Sequence, residues 1–198
     1  YSHVGLTSTA LAALPLSIFP YMTWREYTVA FPRLPGRTLA QLFKAQGHRT
    51  AFLHTGDLDY VNQRGFLEDR GFDVIQDFRD LGAGERLSSW GGEDRHLVDA
   101  MLRYVDQEKG RPFYVMAWTI QSHHPYDPSP DQPFVDFFGG DLPPDDYDLG
   151  RYLNTLREVD RQLGRLFAGL RARKLADDTL VVITGDHGEA FGDPHETW

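Results

Sequence analysis

Between residues 149 and 170, Leu149, Tyr152, Leu153, Leu156, Val159, Leu163, Leu166, Phe167 and Leu170 recur at helical spacing, with Arg, Asp and Glu between them. This pattern predicts an amphipathic helix of about 20 residues that buries one face. The apolar run of "DDTLVVITGD" follows and predicts a strand. Two earlier segments repeat the unit. "GRTLAQLFKAQGHRTAFLHTGD" offers Thr38 as an N-cap with Gln41 three residues later, a helix stop at Gly47 and a strand near 49–54. In "EDRHLVDAMLRYVDQEKGRPFYVMAWTIQSHHPY", Leu97, Val98, Met101, Leu102 and Val105 share a helical face, and "PFYVMAWTI" predicts a buried strand. A further strand is expected near "FDVIQD".

Helices alternating with strands imply an α/β fold: a mostly parallel sheet covered by helices on both faces, with ligands expected beyond the C-terminal strand ends. Those ends carry His54-Thr55, Gln121-Ser122-His123-His124 and Gly185-Asp186-His187. The length of 198 residues fits one domain spanning 1–198. Pro, Gly and Asp concentrate in "YDPSPDQPFVDFFGGDLPPDDYD", which predicts a loop insertion over 126–148.

Composition narrows the chemistry. With 20 Lys+Arg spread along the chain against 29 Asp+Glu, the net charge is −9, which argues against a nucleic-acid partner. Cysteine is absent, so thiolate ligands, disulfides and a Cys nucleophile are excluded, and any metal must be held by oxygen and imidazole. No run of apolar residues is long enough for a membrane span. The sequence starts on Tyr1 and ends on Trp198, and is expected to be part of a longer protein.

Three stretches carry candidate chemistry. Asp186 and His187 leave a strand together between glycines, so carboxylate and imidazole can face one divalent cation; the alternative is a cap and a turn histidine. In "QSHHPY", His123 is the candidate ligand or anion contact, and His124 the more expendable of the pair because neighbours in extended chain alternate sides. "GLTSTALAALPLSIFP" places Thr7, Ser8 and Thr9 at the start of a helix, where a hydroxyl either caps the helix or serves as a nucleophile beside its N–H groups.

"TLVVITGDHGEAFGD" resembles the metal-binding signature of the sulfatase branch of the alkaline phosphatase superfamily, and the likeness runs over nearly the whole chain in order. It is also similar to the lipoteichoic acid synthases and phosphoethanolamine transferases of that branch. The sulfatase nucleophile signature, Cys/Ser-x-Pro-x-Arg, is replaced here by Thr7, Thr9 and Leu11, whereas "LTSTAL" and "SHHP" match the transferases. The resemblance implies Thr7 as the nucleophile and a metal contact, and Asp186 and His187 as ligands of zinc or manganese, with calcium as the third option. It further implies His123 and His195 at the substrate or a second metal. A first carboxylate ligand is expected on a strand preceding the nucleophile. The implied substrate is a phosphate or sulfate ester, extending to a lipid or envelope polymer, processed by hydrolysis or transfer at the extracytoplasmic face of a membrane to which the parent protein is anchored. The alternatives are a phosphodiesterase or phosphatase, or a non-catalytic binding domain on the same fold. Where lipoteichoic acid synthases carry Trp-Asn-Arg, this chain has Val61-Asn62-Gln63, which speaks against glycerol-phosphate specificity; Arg64 is the nearest cation for an anionic substrate, or else a solvated helix residue.

Overall fold

β1 (Arg49–His54) is buried along its whole length and pairs in parallel with a strand on either side. β2 (Val74–Gln76) lies against it with Ala51 opposite Val74, and β3 (Phe113–Trp118) runs from Arg49 opposite Phe113 to His54 opposite Trp118, giving the order β2-β1-β3. All three strands point the same way, so His54, Gln76 and Trp118 end on one edge. This computed structural model describes residues 5–21, 23–82, 86–107, 109–140, 147–189 and 191.

The period of two along β1 divides the core. Phe52 faces α1 (Thr7–Leu16) and α4 (Gln63–Leu67), in a cluster with Leu11, Leu16, Phe66 and Leu67. Ala51 and Leu53 face the other way, onto Leu97, Ala100 and Tyr104 of α5 (Arg95–Asp106). The sheet is therefore covered on both faces, as the alternation implied. α6 (Tyr147–Ala172) forms a further layer, with Leu166 and Leu170 against Val98 of α5 and ion pairs Arg165–Asp99 and Arg173–Asp106, both 2.6 Å.

Local signals place two more helices. α2 (Tyr27–Ala30) follows α1, and α3 (Leu39–Ala45) starts with the expected capping box: the Thr38 hydroxyl accepts from Gln41 N–H at 3.1 Å, and the Gln41 side chain accepts from Thr38 N–H at 2.9 Å. Gly47, at φ +85°, lets the chain turn from α3 into β1.

Two expectations are corrected. β3 is only half-buried, because among the described residues it pairs on one side alone. The run at 179–184 forms no ladder with the described strands, and Leu180, Val182 and Ile183 are exposed. A β-branched apolar run becomes a strand only when a neighbouring edge takes its N–H and C=O groups. Residues 126–140 contain no helix or strand, 141–146 lie outside the described residues, and α6 starts at Tyr147.

Candidate active site

α1 is apolar almost all round, so it is a buried helix rather than a surface one: Ser8, Thr9, Ala10, Leu11, Ala12, Ala13, Pro15 and Leu16 are all buried. Its start is fixed by Ser8, whose hydroxyl donates to Glu26 and accepts from Tyr27 N–H at 3.1 Å. Thr7, one residue earlier, stays half-buried at the start of α1, where Thr9 and Ala10 N–H donate to the Leu6 carbonyl at 3.0 and 3.1 Å.

The Thr7 hydroxyl meets the loop that follows residues 179–184. Its Oγ1 donates to Asp186 Oδ2 at 2.8 Å and lies 3.3 Å from His187 Nε2, and the two loop atoms are 3.6 Å apart. Groups 179 and 180 positions apart in sequence thus form one triangle of two oxygens and a nitrogen. His187 Nδ1 lies 2.8 Å from the Gly188 carbonyl. A carbonyl only accepts, so Nδ1 carries a proton and Nε2 is the ring atom that faces the hydroxyl.

The same arrangement recurs at His54 and His123 on this edge. His54 Nδ1 donates to the Trp118 carbonyl at 3.0 Å, and His123 Nδ1 to the His124 carbonyl at 2.7 Å, so each ring keeps Nε2 as its basic atom. His54 is buried, and burial holds it below the ordinary imidazole value against the opposing fields of Asp77, Asp186 and Asp57. It is therefore neutral at pH 7.

His123 does not touch Thr7 in the described contacts; its ring lies against Trp90, with centroids 4.2 Å apart, and Tyr60 meets Trp90 edge-on at 5.1 Å. The two loops are nevertheless neighbours. Buried Tyr126, two residues beyond His124, hydrogen-bonds Glu189 and packs on Phe191, three and five positions after Asp186. Burial and that carboxylate push the Tyr126 phenol upward, so it stays a donor. Exposed His124 contacts only the Tyr126 ring edge among the aromatic pairs described.

Arg64 is not available to a substrate: it pairs with Asp77 at 2.8 Å, and with Asp59 and Asp80 at 3.5 and 3.7 Å. Asn62 turns its amide to the Thr28 carbonyl at 3.1 Å, and Gln63 is buried. His195 lies outside the described residues. Sequence reasoning noticed His54 only as a strand end, where its position was a sufficient signal. Trp90, Asp94, Tyr126 and Glu189 gave none, since each looks like an ordinary loop or cap residue.

As a divalent-metal site, the triangle has suitable chemistry. A carboxylate oxygen, an imidazole nitrogen and a hydroxyl converge, and O/N donors suit zinc or manganese. No group of three or more His, Cys, Asp or Glu side chains with metal-site geometry occurs among the described residues, so these supply two conventional ligands and the hydroxyl.

The family model described as Sulfatase matches residues 1–198. The chain belongs to the sulfatase family. It is thus a sulfatase-like member of the alkaline phosphatase superfamily. Among curated proteins it is 31% identical over 157 residues to phosphoglycerol transferase I of Xanthomonas axonopodis pv. citri (strain 306), covering 76% of this chain and 22% of that protein. It is 31% identical over 180 residues to mouse (Mus musculus) steryl-sulfatase, covering 90% and 25%. The crystal structure of the lipoteichoic acid synthase LtaP from Listeria monocytogenes superposes with a TM-score of 0.75 at 26% identity, over 90% of this chain and 43% of that one. The chain therefore spans about a quarter or less of these curated relatives.

Proposed function

We propose that this sulfatase-family chain carries the nucleophile half of a metal-dependent phosphoesterase or phosphotransferase site, working through a covalent ester on Thr7. The observation that carries the reading is the convergence of Thr7 Oγ1 on Asp186 Oδ2 and His187 Nε2. A hydroxyl that donates to a carboxylate beside an imidazole can lose its proton as it attacks. A divalent cation held by Asp186, His187 and Thr7 Oγ1 would lower the hydroxyl pKa and neutralise charge on the transferred group.

In the first step Thr7 Oγ bonds to phosphorus as the bond to the leaving alkoxide breaks, and the proton lost by the Thr7 hydroxyl is matched by the one the departing alcohol takes up. In the second, water or an acceptor alcohol bonds to phosphorus as the bond to Thr7 Oγ breaks, and the acceptor's proton returns to Thr7. Hydrolysis and transfer differ only in the acceptor. His123, on the neighbouring loop, contacts the transferred group or the leaving oxygen through Nε2. Phosphorus is favoured over sulfur because the chain has no cysteine to become formylglycine and departs from the sulfatase pattern at Thr7, Thr9 and Leu11. The relatives named for phosphoglycerol transfer and lipoteichoic acid synthesis point the same way, toward an envelope phosphate ester as substrate. No helix of the described residues is long and apolar enough to cross a membrane.

The test compares an aryl phosphodiester with an aryl sulfate in the full-length protein, before and after chelation. Diester cleavage that disappears with chelator and returns with manganese or zinc is expected. Sulfate cleaved faster than the diester, or diester cleavage indifferent to chelation, would overturn the reading.

A further inference from the structure

Asp94, at the start of α5, is 1% exposed and lies at the centre of a knot of three segments. Its Oδ1 accepts from the Thr55 hydroxyl and, at 3.0 Å, from Ile120 N–H; its Oδ2 accepts from Gln121 N–H at 3.1 Å. Asp94 N–H donates back to Gln121 Oε1 at 2.8 Å, and Gln121 Nε2 continues to Ser129 Oγ at 3.1 Å. Thr55 follows β1, and Ile120 and Gln121 follow β3, so the carboxylate joins the ends of both strands to the start of α5.

The knot leads to one side chain. Ile120, held through its N–H by Asp94, offers its carbonyl to His123 N–H at 3.0 Å, and the His123 carbonyl accepts from Tyr126 N–H at 3.0 Å. The same short segment also contacts the His123 ring, because Trp90, four residues before Asp94, packs against it with the rings tilted by 43°. This segment is seated on β1: Gly92 N–H donates to the Thr55 carbonyl at 2.9 Å, and a Cβ at Gly91 would lie 2.1 Å from that oxygen. Residues 90–94 thus hold His123 by its ring and by its backbone.

The Asp94 side chain makes no capping hydrogen bond to α5, so helix capping does not account for a buried carboxylate here. The three donors do need it. A carboxylate is acceptor-only on both oxygens, whereas an asparagine would turn an NH₂ toward the Gln121 N–H or toward the Thr55 and Ile120 donors, leaving buried N–H groups unpaired.

We propose that Asp94 is the positioning residue for His123: it fixes the Ile120–Gln121 turn from which the imidazole reaches the group transferred to Thr7, and it affects the reaction only through that histidine. This rests on the His123 role given above. The test is a double-mutant cycle on aryl phosphodiester cleavage in the metal-loaded full-length protein, with D94N, H123A and the pair. D94N is expected to lower kcat/KM by about tenfold or more in the wild-type background and by less than about threefold in the H123A background. Thr55→Val, which removes one donor and keeps the carboxylate, should show the same dependence on His123 with a smaller loss, and it serves if D94N does not fold. Losses that multiply fully in the H123A background would overturn the positioning role while leaving His123 in place. An H123A enzyme as fast as wild type would overturn the His123 assignment and this proposal together.

Discussion

The loop carrying Asp186 and His187 and the loop carrying His123 meet at one edge of the sheet, yet they are held there by different means. Asp186 and His187 both touch the Thr7 hydroxyl, at 2.8 and 3.3 Å. The His123 loop is fixed by scaffold: a buried carboxylate beneath it, a tryptophan on its ring and Tyr126 locked behind it. A group that must ionise a nucleophile is placed by touching the nucleophile. A group that meets only the bound substrate has no such contact, so the protein supplies its geometry in advance.

Substitutions can break this comparison in order of size. Thr7→Ala removes the attacking atom while keeping a good helix residue, and should lower diester turnover by about 10³-fold or more with unfolding temperature nearly unchanged. His187→Ala should cost about 10²-fold or more and lower manganese or zinc affinity, read by turnover and metal titration. His123→Ala should cost about 10- to 100-fold and leave affinity for the metal bound at Asp186 and His187 as it was. Equal loss of metal in both histidine variants would show that the two loops are not distinct in the way described.

The smallest effect sharpens the scaffold side. Burial pushes the Asp94 carboxyl up from 3.8 to about 6, against the hydrogen bonds from Thr55, Ile120 and Gln121. The folded state therefore holds this proton more tightly than the unfolded chain, so the linked stability is fully present below about 3.8 and is lost as pH rises through about 6. The amide of D94N cannot titrate. The stability of wild type relative to D94N should fall by roughly 2 to 3 kcal/mol between about pH 4 and pH 7, read from urea midpoints at each pH. A difference constant across that window would contradict the buried ionisation.

The sequence carried the parts of this picture that depend on local pattern. The capping box at Thr38 and the helical spans of α5 and α6 are properties of consecutive residues and fell where spacing put them; the buried face of α6 did not, since Asn154, Thr155, Glu158 and Gln162 are buried with Leu166 and Leu170 while Leu156 is exposed. Asp186-His187 and the hydroxyl run at Thr7 were legible as metal-capable and nucleophile-capable chemistry, and the family likeness ordered them into one site. Three further things were not legible. The run at 179–184 has strand composition, but a strand exists only with a partner edge, which composition does not report. Arg64 looks like an anion contact until β2 brings Asp77 alongside it. Asp94 carries no local sign of its place, because its burial is set by the turn after β3, about 26 residues away.

The central claim is that Thr7 carries the transferred phosphoryl group. Rapid quench of the metal-loaded full-length protein with an aryl phosphodiester, followed by peptide mass spectrometry, tests it directly. A phosphoester adduct is expected on the peptide containing Thr7, absent from Thr7→Ala and accumulating when the acceptor is withheld. Burst-phase turnover with no adduct on that peptide, or diester cleavage by Thr7→Ala at the wild-type rate, would contradict it.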